Sequence, residues 1–181
     1  MRQSLRQLTA TLCPARYSWP AMDVHVGNRR LHLAGSIHVG TRDMQPLPAG
    51  LLRQLSKADA LIVEADITQG ASPFTNDDVH PPLETRLDAD VIHQLNALCD
   101  TLSLSPGMFD TLPFWQIALM LQAQQAQRLG LRPQYGIDYQ LLLAAKAANK
   151  RIIELEGPDT QIAPLKSLPH DGLPLLLVTL E

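Results

Sequence analysis

Only two cysteines, Cys13 and Cys99, occur in the 181 residues. That number excludes a disulfide framework and a four-thiolate zinc module. An excess of either charge is also missing, since 15 Lys+Arg face 18 Asp+Glu for a formal net charge of −3. Phosphate backbones are held by clustered cations, so no nucleic-acid partner is expected. No apolar run approaches the roughly 20 residues of a membrane-spanning helix. The Gly-x-Ser-x-Gly signature of a serine nucleophile does not occur. Gly35-Ser-Ile-His-Val-Gly-Thr-Arg42 has the spacing of a phosphate loop, but it lacks the lysine that neutralises phosphate. Ile37 and Val39 also resist the backbone angles of an anion nest.

What remains is the composition of a globular domain, 45% hydrophobic and 18% charged. Residues 1–16 start basic, and their apolar stretch is broken by Thr9, Thr11 and Pro14. A secretory signal needs a continuous apolar stretch, so these residues read as an N-terminal arm of a cytoplasmic protein. Residues 17–181 read as one domain.

Strands are expected at Asp23–Val26 and Arg30–His38, joined by a Gly27-Asn28 turn. Two short apolar runs that end in charge, Ala60–Asp66 and Arg151–Glu156, read as buried strands. Helical periodicity marks Leu47–Lys57, Asp88–Leu102, Pro113–Leu129 and Tyr139–Asn149. Thr68–Pro82 reads as a loop. The order gives an α/β fold: a mainly parallel sheet with an N-terminal antiparallel hairpin and a helical insertion. Strands near 31–37, 60–65 and 151–155 are expected in one sheet. A last apolar helix is expected to start near Asp171 and Pro174 and needs a partner to cover it, so either it packs back on the sheet or the polypeptide is a truncated piece of something longer. Exposed apolar surface there, and association through it, are expected.

Each strand runs from apolar residues into His or carboxylate at its C-terminal end, where open parallel sheets bind ligands. His38, Glu64 and one of Glu154 or Glu156 are expected to converge there. One imidazole with two carboxylates suits Mn²⁺, Co²⁺, Fe²⁺ or Zn²⁺ and leaves room for an activated water. His25, His80, His93 and His170 read as surface residues, and Cys99 as core.

Leu33-Ala-Gly-Ser-Ile-His-Val-Gly40, Ala58–Asp66, Tyr135-Gly-Ile-Asp138 and Ile152–Gly157 together resemble the TraB/GumN family, in the order and spacing of its YbaP-type branch. The resemblance runs from about Tyr17 to the C-terminus. It implies an α/β fold of the Tiki metalloprotease superfamily and a metal-dependent hydrolase of peptide or ester bonds. The cofactor implied is a divalent metal (Mn, Co or Zn), and the partner a peptide or small-molecule substrate. Gly35-Ser-Ile-His38 matches the family's first Gly-x-x-His, which makes His38 a metal ligand. Glu64 matches the acidic residue of the second strand, as ligand or catalytic carboxylate. Glu156 matches the Leu-Glu pair, as ligand or general base. Gly35, Gly136 and Asp138 belong to the motifs, with Asp138 placed to cap a helix. The second Gly-x-x-His of Tiki-type members has no counterpart after Gly35. The resemblance therefore implies a chain truncated at its C-terminus with part of the site missing. Two alternatives also follow from it: a non-catalytic binding or regulatory protein, since some family members shut down peptide-pheromone signalling, or an inactive fragment.

Overall fold

A computed structural model of the chain describes residues 17–68, 79–156 and 158–181. The expected arm (1–16), the greater part of the expected loop at 68–82, and Gly157 lie outside the described residues. The chain divides into two compact units. One takes the described residues up to 68 together with 130–155, and the other takes 79–129 together with those from 156 onward.

The first unit opens with a hairpin. Strands β1 (Ala21–Val26) and β2 (Arg29–Ala34) pair antiparallel, with Val26 opposite Arg29 and Met22 opposite Leu33. Gly27 takes φ +59° and a Cβ built there would meet nothing within 4 Å, so glycine is there for the turn and not for space. Asp23, His32 and Arg30 share one face of the hairpin. Arg30 donates to Asp23 Oδ1 at 3.0 Å and His32 Nδ1 lies 2.9 Å from the same oxygen. Those two hydrogen bonds, His32 first, hold the Asp23 carboxyl below its ordinary range.

Helix α1 (Ala49–Lys57) follows Pro48 and buries Leu51 and Leu55. Strand β3 (Ala60–Val63) pairs parallel with β4 (Arg151–Glu154), Ala60 opposite Arg151 and Val63 opposite Glu154. The helix before β4 covers Ile137–Ala147 and is the fourth in chain order; its position decides the site. Leu47, Leu51 and Leu55 pack with Ile137, Leu141 and Ala145 into one core, against which Leu61 of β3 and Ile152 of β4 rest. Each buried leucine or isoleucine contributes about 1.5–3 kcal/mol relative to exposure.

The second unit is helical and corresponds to the expected insertion plus the C-terminal segment. Its helices are α2 (Ala89–Leu102), α3 (Phe114–Arg128), α5 (Pro158–Lys166) and α6 (Leu173–Leu180), with α4 (Ile137–Ala147) belonging to the first unit. Leu95 and Cys99 of α2 meet Ile117, Ala118 and Leu121 of α3 and Leu176 of α6. As the sequence indicates, Pro113 precedes α3 and Gly130 lies beyond its end with φ +83°. Cys99 is fully buried, and its thiol pKa is raised by desolvation and then by Asp100.

Three expectations need correction. The described strands form two separate two-stranded sheets, not one sheet. Among the described residues the only parallel part is the four-residue β3–β4 pair, within a mixed helix-and-sheet composition. Strands also end earlier than expected: β2 stops at Ala34 and β3 at Val63, which puts His38 and Glu64 in the loops that follow. Pro20 explains the first stop: it lies opposite Gly35 and accepts the Gly35 N–H at 2.7 Å, but has no N–H of its own to continue the ladder. The last helix is not left uncovered either. Leu176 is fully buried, and Leu173, Leu175 and Leu180 pack on the same core, while Leu177 and Val178 stay exposed. Gly172, at φ +83°, permits this joint, since a Cβ there would meet the Trp115 backbone nitrogen at 2.8 Å.

Candidate functional site

Two segments of the first unit, each singled out in the sequence, are built against each other. The loop after β2 carries His38 between Gly35 and Gly40. The segment Tyr135-Gly-Ile-Asp138 opens α4. Gly40 and Arg132 exchange backbone hydrogen bonds of 3.0 and 2.8 Å, and Ile137 N donates to Ile37 O at 3.0 Å. At Gly136 a Cβ would meet His38 O at 2.5 Å and Ile37 O at 2.7 Å. At Gly40 it would meet Tyr135 O at 2.4 Å. The glycines are therefore required by close backbone approach. Gly136 has an ordinary φ of −60°, so conformational freedom is not the reason.

This docking brings His38 Nδ1 onto Asp138 Oδ2. The other carboxylate oxygen accepts from the Tyr139 backbone N–H at 2.8 Å. Asp138 sits in the first turn of α4, where the helix N-terminus favours negative charge, and its side chain is 13% exposed. The His38 side chain is 71% exposed. An ionised carboxylate only accepts, so Nδ1 of a neutral His38 carries the proton and Nε2 presents its lone pair. The pair has the form of a carboxylate-backed imidazole, used both behind metal-ligating histidines and behind catalytic bases.

The other expected residues are placed differently. Glu64 is exposed, one residue past β3. Beyond it the Asp66 carboxylate, 5% exposed, is bound by Lys146 Nζ at 2.8 Å and accepts from Thr68 Oγ1 at 2.6 Å. Lys146 Nζ also donates to Thr68 Oγ1. Glu154 Oε2 accepts the Asp66 backbone N–H at 2.8 Å. Both carboxylates thus close the ends of the parallel pair. Glu156 is half-buried two residues beyond β4 and groups with the second unit. Among the described residues, no group of three or more His, Cys, Asp or Glu side chains is gathered to hold a metal ion. His38 supplies the right kind of nitrogen for one, but the described residues do not assemble a complete set.

Sequence reasoning recognised Asp138 as part of a motif and gave it only a capping role. Its partnership with His38 spans 100 residues of chain. The readable signal was Gly136, a glycine directly before a helix that begins with an acid in its first turn. Gln140 was passed over as well. It falls on the buried stripe Ile137, Gln140, Leu141, Ala145, where an apolar residue is the default.

Comparison with known proteins identifies the family. The profile described as the TraB/PrgY/gumN family matches residues 21–179. The uncharacterized protein YbaP of Escherichia coli (strain K12) is 51% identical over 177 residues, which cover 97% of this chain and 67% of that protein. The protein of the same description from Shigella flexneri gives the same identity and coverage. No solved structure matches the chain at a significant level. Among the described residues, no helix is long and apolar enough to cross a membrane.

Proposed function

The chain belongs to the TraB/PrgY/gumN family, and from that premise we propose that its first unit carries the working imidazole of a hydrolase-type site. The observation that carries this reading is the His38 Nδ1 hydrogen bond to Asp138. Asp138 fixes ring orientation and tautomer, and His38 holds its Nε2 lone pair toward solvent, ready for a cation or a proton. The substrate class proposed is a peptide or ester. In this reading Glu64, in the same unit, is the accompanying exposed carboxylate. A divalent ion bound at His38 would lower the pKa of a bound water and polarise a carbonyl. The described residues gather no group of three or more His, Cys, Asp or Glu around it. A second reading keeps the same exposed imidazole as the contact point of a non-catalytic binding protein.

The test is hydrolysis of peptide and ester substrates by the chain with Mn²⁺, Co²⁺ or Zn²⁺, for wild type, His38→Ala and Glu64→Gln. Metal-stimulated turnover that disappears in His38→Ala supports the hydrolase. Binding of metal or peptide at His38 without turnover selects the binding protein. Turnover unchanged by His38→Ala removes His38 from either role.

A further inference from the structure

We infer that Gln140 is a positioning residue for His38: its buried side-chain amide ties together the two loops whose contact places the imidazole on Asp138. This inference rests on the reading of His38 and Asp138 as the working pair. Gln140 is only 8% exposed and lies one turn after Gly136 on the core-facing stripe of α4. A glutamine there forfeits apolar burial, so its polar contacts require an explanation.

Those contacts are specific. The Nε2 amide donates to Tyr135 O at 2.9 Å and to Met44 O at 3.2 Å. Tyr135 O is the atom that excludes a Cβ at Gly40, so it marks the point where the second segment presses on the His38 loop. Met44 lies four residues beyond Gly40, in the short 3-10 turn Arg42–Met44. One side chain therefore grips both loops beside their contact, from beneath, while its own helix carries Asp138. Tyr17 also donates to Met44 O, at 3.3 Å. Loss of Gln140 would thus leave Met44 O with a donor and remove from Tyr135 O the amide that joins it to the other loop. Leu141, the next residue, is equally buried and makes only apolar contacts in the core. It is the natural control for a loss of packing alone.

The test is a long-range ¹H–¹⁵N spectrum of the His38 ring in the full chain at neutral pH, for wild type, Gln140→Leu, Gln140→Met, Leu141→Ala and Asp138→Asn. Wild type is expected in the Nδ1–H tautomer. Asp138→Asn is expected to lose that preference outright. Gln140→Leu, or Gln140→Met should the first not fold, is expected to shift His38 to a mixture of tautomers with rapid exchange of the Nδ1 proton. Leu141→Ala is expected to lower the unfolding midpoint and keep the wild-type ring signals. An unchanged ring in both folded Gln140 variants overturns the inference, as does an equal change in Leu141→Ala. If Asp138→Asn leaves the ring unchanged, the reading of the pair itself has failed, whatever the Gln140 variants show.

Discussion

Replacing Gly136 by alanine tests whether backbone contact, and not glycine flexibility, builds the site. The added methyl would sit 2.5 Å from His38 O, 2.7 Å from Ile37 O and 2.8 Å from His38 C. All three are backbone atoms, so relief requires the loop or the start of α4 to move. With φ −60° and ψ 146°, position 136 is open to alanine. The substitution therefore gains about 0.4–1 kcal/mol from a less free unfolded chain. Against that stand about 1–3 kcal/mol for overpacking. A further 0.5–1.5 kcal/mol or so goes if the Ile137 N–H to Ile37 O bond breaks. The steric side wins, for a net loss of roughly 1–3 kcal/mol. The chain has two tryptophans, Trp19 in the first unit and Trp115 in the second. ¹⁹F spectra of 5-fluorotryptophan-labelled protein in urea therefore follow each unit separately. The Trp19 signal is expected to change at lower urea in Gly136→Ala, with the His38–Asp138 hydrogen bond lost in native buffer. A variant as stable as wild type, with that hydrogen bond intact, would refute the argument.

Other outcomes follow from the same geometry. Cys99, fully buried and with its thiol pKa raised, is expected to resist Ellman's reagent in a Cys13→Ser background until denaturant is added; prompt reaction of the native protein would contradict its place in the core. Leu176→Ala should cost about 2–5 kcal/mol, read at Trp115, because Leu176 has no exposed surface; a loss below about 0.5 kcal/mol would mean that α6 is not docked. Asp23 has its folded pKa lowered from an ordinary 3.8 by His32 and Arg30. Its contribution is therefore present above the ordinary range and is lost as pH falls through the lowered value. The stability gap between wild type and Asp23→Asn should close with acid and shrink in high salt, since the pair is exposed; a gap independent of pH would count against the hairpin ion pair.

Local signals were legible in the sequence where one element decides them. Gly27-Asn28 marks the hairpin, Pro113 and Gly130 bracket α3, and the Leu51/Leu55 stripe gives α1. Strand length was less legible. Apolar character continues through Ile37 and Val39, yet β2 ends at Ala34 because the partner opposite Gly35 is Pro20, which has no N–H to carry the ladder on. Sheet membership was not legible either, since pairing partners lie far apart: Ala60 pairs with Arg151, across the whole of the helical insertion. At the site, His38 and Asp138 were both visible as motif residues. Their hydrogen bond depends on a loop–helix contact made 100 residues apart in sequence, and no periodicity encodes it. The strand-end carboxylates were misleading for a related reason. Glu154 accepts the Asp66 backbone N–H, a contact with the end of the other strand that no single strand's pattern can show.

The central claim, that Asp138 holds His38 with Nε2 ready for a ligand, is tested most directly by calorimetric titration of Co²⁺ into wild type, His38→Ala and Asp138→Asn. The account predicts binding by wild type, its loss in His38→Ala, and about 10–100-fold weaker binding in Asp138→Asn, the usual cost of removing a carboxylate behind a ligating histidine. Equal affinity in all three proteins would contradict it.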